Sequence, residues 1–330
     1  MTPSDSETGH AARASAQKGA RWLLDLLEAD GSLRAATALD AYYKGPCALL
    51  FSGHRAEAER VIDFVSRRFV KADGDLDGAG VAWYERFRIY PHAWLAWAAV
   101  ELQRPELARS LTEFLLERRN TDSGGFLAAD DGAEEIMTTS MAGLACLRAG
   151  HWDAARGVAQ WLSRTMIEQP DLRRGLLHVR KPGAGLTEGD GSVWYVVNAA
   201  ELRQWYFQYG ISAAFLADFA RASGESAWLE LARQYLHASE HCREDRYRTP
   251  QSGKIGWGAA WTFALGRRDE DYALVEAVVD GLCALQCGDG SWNAEGVYEA
   301  DPSNSAVARI DVTSEFVALL SLMGMEEESV

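Results

Sequence analysis

Two aspartates stand where acid–base chemistry could be done. Asp40 and Asp311 each open a segment of small and apolar residues, DAYYKGPCALLFSG (40–53) and DVTSEFVALLSLMG (311–324). Carboxylates on adjacent packed helices lie about 8–10 Å apart, a separation that suits paired acid and base work. Like charges so placed push their pKa values apart, leaving one as acid and one as base. The competing reading is that both residues are helix N-caps, a position aspartate favours.

Other groups gather at the same level. Asp40, Tyr43 and Cys47 are spaced by three and four and share one helical face. His92 follows two residues after Tyr90 at the head of YPHAWLAWAAVELQ (90–103). The expected catalytic set is therefore Asp40, Asp311, His92 and Tyr43, with Cys47 read as a small buried hydrophobe. Tyr42, Tyr90, Tyr206, Tyr209 and Trp257 lie at or near segment starts and are expected to line a substrate site. Trp205 joins them from the aromatic stretch GLTEGDGSVWYVVNAAELRQWYFQYG, whose Glu188 and Asp190 are reserve acids. Glu85, Arg88 and Glu135 belong to charged clusters on connecting loops, where binding residues concentrate. Arg86, Lys254 and Arg309 suit a substrate carboxylate or phosphate, or local pairing with Asp and Glu.

These residues need a scaffold, and internal repetition supplies it. Four further segments share the small, apolar character: 90–103, MTTSMAGLACLRAG (137–150), ISAAFLADFARASG (211–224) and GKIGWGAAWTFALG (253–266). Five of the six end in glycine, the residue that stops a helix in the left-handed conformation. A helix apolar nearly all round is buried. Between them run amphipathic helices such as HRAEAERVIDFVSRRF and PELARSLTEFLLERR, apolar at i, i+3, i+4 and i+7. The alternation predicts an all-α fold, a closed (α/α)6 toroid with an inner and an outer helix ring. One domain is expected over 1–330, with an aromatic insertion at about 170–205 that forms a lid or an extra helix. Asp-Gly turns follow the outer helices in EADGSL, KADGDLDG, TDSGGF and CGDGSW, read mainly as turn chemistry.

The segment Gln286-Cys-Gly-Asp-Gly-Ser-Trp292 is similar to the QW motif of triterpene cyclases, and DVTSEFVALL resembles their Asp-Val-Thr helix start. The resemblance implies the toroid of the terpenoid cyclases and protein prenyltransferases, with the Gln capping a neighbouring helix end and the Trp stacked against it. The family's catalytic motifs are missing. No Asp-x-Asp-Asp acid occurs, Asp130-Asp131 is followed by Gly-Ala-Glu rather than completing a DDxxD, and Asp311-Val312-Thr313 has threonine where the prenyltransferase zinc thiolate would stand. Six-hairpin glycosidases and sugar 2-epimerases share the fold and often the Asp-Gly-Ser-Trp turn.

A net charge of -15 argues against nucleic acid or anionic membrane as partner. No stretch approaches the roughly 20 apolar residues of a membrane helix. Five cysteines and no visible signal peptide point to free thiols in a reducing cytoplasm. HExxH, paired CxxC, Walker and GxGxxG patterns are absent, so neither metal nor cofactor is expected. The leading expectation is an enzyme that cyclises, isomerises or dehydrates a small, mainly apolar, isoprenoid-like molecule by metal-free acid–base chemistry. One alternative is a carbohydrate-active hydrolase or epimerase, which predicts a polar groove with aromatics. Another is a non-catalytic interaction scaffold, which predicts no polar lining at the inner-helix starts.

Overall fold

Glycine at a positive φ lets the Asp-Gly turns settle on a neighbouring helix, and the helices are organised around those contacts. The computed structural model describes residues 7–34, 36–294 and 305–324. Among them are twelve α-helices and five short strands, and no described helix is long and apolar enough to cross a membrane. The chain divides into two compact units.

The first unit takes Met1–Glu117 and Leu282–Val330. It holds α1 (Glu7–Leu26), α2 (Gly45–Phe51), α3 (Arg55–Arg68), α4 (Ile89–Glu101), α5 (Pro105–Glu117) and α12 (Ala306–Met323). Helix α4 is buried along nearly its whole length, as its uninterrupted apolar sequence requires. Helices α3 and α5 bury one stripe each and turn their arginines and glutamates outward. Helix α12 packs on α1 and α2, and α4 packs on α5.

The second unit, Arg118–Gly281, holds α6 (Ile136–Arg148), α7 (Trp152–Ile167), α8 (Phe207–Ser223), α9 (Ser226–Ser239), α10 (Gly253–Gly266) and most of α11 (Asp269–Leu285). Helices α6, α8 and α10 are the buried ones, and α8 packs on both α6 and α10. Gly210 and Gly258 let α8 and α10 approach so closely that a Cβ at either would strike backbone of the other helix.

The turns repeat one construction. Leu27 and Leu33, Val70 and Leu76, Arg119 and Phe126, and Gln286 and Trp292 form isolated antiparallel bridges that close them. Asp30, Asp73, Asn120 and Asp289 each accept a backbone N–H two residues on, the Asx turn these side chains favour. Gly31, Gly74, Gly124 and Gly290 sit at φ between 82° and 95° with their Cα against the carbonyl of Arg60, Ser110, Gly157 and Lys18. Each turn is thus seated on a neighbouring outer helix of its own unit, and only glycine meets both requirements. The last residue of each bridge, Leu33, Leu76, Phe126 or Trp292, enters the core.

Several expectations are corrected. The insertion forms strands rather than a helix: β1 (Glu134–Glu135), β3 (Val179–Lys181) and β4 (Gly185–Thr187) make one antiparallel sheet, while β2 (Gly175–Leu177) pairs with β5 (Val196–Asn198). Its Gly-rich, β-branched composition breaks helical periodicity. Among the five stop glycines, Gly53, Gly150 and Gly224 take positive φ. Gly266 ends α10 with Arg267 in the left-handed position, and Gly324 has φ −93. Gly266 instead makes room for the buried Arg233 guanidinium. Gln286 caps no helix end: its amide donates to the Ser15 and Gly290 carbonyls at 2.9 and 2.8 Å and accepts from Ser15 Oγ, bracing the middle of α1. Trp292 lies edge-on to Phe316 and donates to the Leu282 carbonyl.

Candidate active site

Helix α12 starts earlier than its apolar run suggests. Ser305 is the N-cap, accepting from the Ala308 amide, so Asp311 lies inside the helix and caps nothing. It is 1% exposed, and Glu315 stands one turn further along the same face. Opposite them, Lys44 occupies the residue before α2, where the 3-10 turn Leu39–Ala41 delivers the chain. Its ammonium lies 2.9 Å from Asp311 Oδ1 and 2.6 Å from Glu315 Oε2.

Two carboxylates share one cation, and the electrostatics follow. Burial works against Lys44's charge, but Asp311 and Glu315 outweigh it and hold its pKa well above the ordinary value. Burial pushes the Asp311 carboxyl up to about 6; Lys44 pulls it back, while Glu315 and Asp40 push it further. The opposite sense of the two effects has one cause: Lys44 faces two anions, whereas Asp311 faces one cation and two anions. The cluster has one carboxylate more than it can neutralise, and the most buried becomes the easier one to protonate.

Aromatic rings enclose the cluster. Lys44 Nζ lies 4.9 Å from the Tyr43 ring centroid, and Tyr43 meets Trp83 and Tyr90 edge-on at 5.7 and 5.9 Å. Burial raises the pKa of Tyr43 and Tyr90, keeping their hydroxyls protonated donors at neutral pH. The Cys47 thiol is buried, raised by desolvation, and donates to the Trp94 carbonyl at 3.6 Å.

The structure thus gathers Asp40, Tyr43, Tyr90 and Asp311 into one electrostatic neighbourhood. Sequence reasoning missed Lys44 and Glu315. The available signal was an Asp-x-x-x-Glu spacing in an otherwise nearly uncharged helix, with a lone lysine inside a buried segment.

His92 is not part of it. Its ring stacks on Phe114 of outer helix α5 at 4.2 Å, Nδ1 donates to the Arg88 carbonyl, and Nε2 lies 3.4 Å from Asp75. Burial keeps the imidazole below its usual pKa. Arg88, Lys71 and Tyr84 also converge on Asp75, whose carboxyl His92, Arg88 and Lys71 hold well below the ordinary range against the effect of burial. His92 and Arg88 are therefore committed to a structural cluster. Tyr42 is likewise committed, accepting from the Leu33 amide, donating to the Ala36 carbonyl and packing on Phe64 and Phe69. Glu85 is exposed, and Arg309 pairs with Asp289.

Within the second unit, Glu135 caps α6 by accepting from the Thr138 amide. It also receives a short bond from Gln208 Nε2 and lies 3.5 Å from His178 Nδ1. Burial opposes its ionisation, but these partners hold its pKa below the ordinary value. Trp205, half-buried, lies 6.1 Å from the His178 ring and 4.7 Å from Trp194. Tyr206 and Tyr209 turn elsewhere, to Asp245 and Cys242, and Trp257 packs edge-on against Trp261. Glu188 and Asp190 are exposed turn residues, and Lys254 is buried over the Phe207 ring.

No family model and no curated protein sequence matches the chain. Solved structures do match it. A D-mannose isomerase superposes with TM-score 0.70 at 12% identity, over 96% of this chain and 98% of its own. An inactive variant of an α-1,6-mannanase from Salegentibacter sp. HEL1_6, in complex with α-1,6-mannotriose, gives 0.66 at 13% identity over 94% and 99%. A type II terpene cyclase from Scytonema, bound to its product, gives 0.59 at 13% over 96% and 98%. The architecture of this chain is accordingly the (α/α)6 toroid its sequence repeat predicts.

Proposed function

We propose that this protein is an enzyme that moves protons on a sugar or sugar-like polyol, using the Lys44–Asp311–Glu315 centre. The observation that carries the reading is the buried ammonium held between two carboxylates, the lysine at the start of α2 and the carboxylates one turn apart on the buried helix α12. Burying charge is expensive and stabilises a fold poorly, so such a cluster is retained for what it does. It also suits hydroxyl groups, which both donate and accept, better than hydrocarbon. The isoprenoid expectation therefore yields to the carbohydrate alternative, and the mannose isomerase and mannanase among the similar folds support that choice.

In this reading Asp311 carries the proton that is exchanged with substrate. Lys44 fixes the orientation of Asp311 and Glu315 and restrains the rise in the Asp311 pKa. Tyr43 and Tyr90 donate hydroxyl protons to substrate oxygens, and the half-buried Asp40 is the second carboxylate. General acid–base help of this kind contributes typically about 10²–10⁴-fold.

The test is turnover, followed by proton NMR, of a panel containing aldoses, ketoses, uronates, α-mannosides and polyprenyl substrates. The expected result is conversion of a sugar, lowered at least a hundredfold by Asp311→Asn. Conversion of a polyprenyl compound alone, or sugar turnover untouched by Asp311→Asn, would sink the proposal.

A further inference from the structure

Gln208 holds an unusual position in the second unit. It is fully buried, and its two amide hydrogens are both used: one on Glu135 and one on His178 Nδ1 at 3.2 Å. The His178 tautomer agrees, since Nε2 lies 3.0 Å from the Val193 carbonyl and must donate to it. That leaves the Nδ1 lone pair to accept from Gln208. The amide cannot be turned over, because its oxygen would then face a carboxylate and a lone pair. Gln208 Oε1 is consequently a buried acceptor that no donor among the described residues reaches. An acceptor left so is unfavourable.

The surroundings say what kind of donor fits. The Trp205 ring is half-buried beside His178, and it borders Phe207 at 5.5 Å. Lys254 Nζ already covers the Phe207 ring at 5.3 Å, and its positive charge disfavours a second cation there. Both Glu135 oxygens already accept, Oε2 from Thr138 and Oε1 from Gln208. A neutral ring with an apolar C–H face and hydroxyl donors meets every condition: its face lies on Trp205 and a hydroxyl donates to Gln208 Oε1.

We infer that the Arg118–Gly281 unit carries a binding site of its own for a neutral hydroxylated ring, a monosaccharide unit, built from Trp205 and Gln208 with His178 and Glu135 as positioning residues. The inference rests on the carbohydrate reading for its ligand and not for its residues, none of which belongs to the Lys44–Asp311–Glu315 centre.

The probes are methyl α-D-mannopyranoside and α-1,6-mannotriose, with choline as the cationic control, titrated calorimetrically into the full chain. The unaltered protein should bind at least one of the two sugars, and Gly290→Ala, in a turn outside both centres, should bind it equally tightly once folded. Trp205→Ala and Gln208→Met should weaken that binding at least tenfold, and Trp205→Phe should recover part of it. Thermal melting of each variant establishes that it is folded. Should Gln208→Met fail to fold, the Trp205→Ala and Trp205→Phe pair decides alone. Sugar binding that survives Trp205→Ala and disappears in Lys44→Met would place the sugar at the other centre and overturn the inference. Absence of binding by either sugar, or binding of choline in their place, would also overturn it. Sugar held only at the Lys44 centre overturns this inference and leaves the turnover proposal standing, whereas Trp205-dependent binding with turnover untouched by Asp311→Asn does the reverse, so the two proposals fail separately.

Discussion

Replacing Asp311 with asparagine should change how stability depends on pH, in a direction the cluster fixes. In the unfolded chain an aspartate titrates near 3.9, and in the folded protein burial among Glu315 and Asp40 lifts Asp311 to about 6. The folded state therefore holds this proton more tightly. Its contribution to stability is complete below the unfolded pKa and is lost as pH rises through 6. A shift of roughly two units corresponds to about 3 kcal/mol, most of which disappears between about pH 4 and pH 8. Asparagine cannot titrate, so the variant lacks this component. Urea unfolding of both proteins across that range gives the difference directly. The wild type should lose about 2–3 kcal/mol relative to Asp311→Asn as the pH rises. A flat difference, or one of opposite sign, would refute the account of Asp311 as the proton-bearing member of an over-charged cluster.

Three other outcomes follow from the same reasoning. Lys44→Met leaves two buried carboxylates without their cation and should destabilise by about 3–5 kcal/mol near neutral pH. The pH window over which Asp311 loses stability should also move upward, seen in the same urea series. Asp75→Asn strands Arg88 and breaks the bonds from Lys71 and Tyr84, for a similar loss of about 3–5 kcal/mol. Because the folded Asp75 pKa is depressed, that difference should shrink as pH falls below about 4. Gly290→Ala places a Cβ 2.5 Å from the Lys18 carbonyl at φ +95. It should lower stability by about 2–3 kcal/mol, measured by denaturation, while the folded fraction keeps its ligand affinity.

The architecture was legible because it depends on periodicities that recur. Inner and outer helices differ in whether apolar residues surround the helix or follow one stripe, and the Asp-Gly turns carry a backbone requirement only glycine meets. The insertion escaped because its strands are short and pair with Glu134–Glu135, a partner distant in sequence. The site was legible in part. Asp311 and Tyr43 were visible from their positions at segment starts, but the partner of a buried charge is set by packing. Lys44 is a lysine next to Gly45-Pro46 and looks like a turn residue; only the approach of α12 to α2 makes it a counter-ion. His178 lies in the apolar run Gly-Leu-Leu-His-Val, a signal of burial that says nothing of Glu135. His92 misled for the same reason in reverse. Its place on the inner helix was read correctly, while its ring turns outward to Phe114 and Asp75.

In the proposed reading, stability and chemistry draw on different residues in this chain. The turns that seat glycine on a neighbouring carbonyl, the Gln286 brace and the Asp75 cluster pair most of their polar groups and stabilise the fold. The Lys44–Asp311–Glu315 cluster does the reverse, since it gathers more negative charge than its cation offsets and holds Asp311 above the ordinary carboxylate range. Gln208 Oε1 likewise faces no donor among the described residues. A core under selection for stability alone would exchange such groups for apolar ones of equal volume. That they occupy buried helices, and not the exposed stripes of outer ones, is why the search for function belongs there.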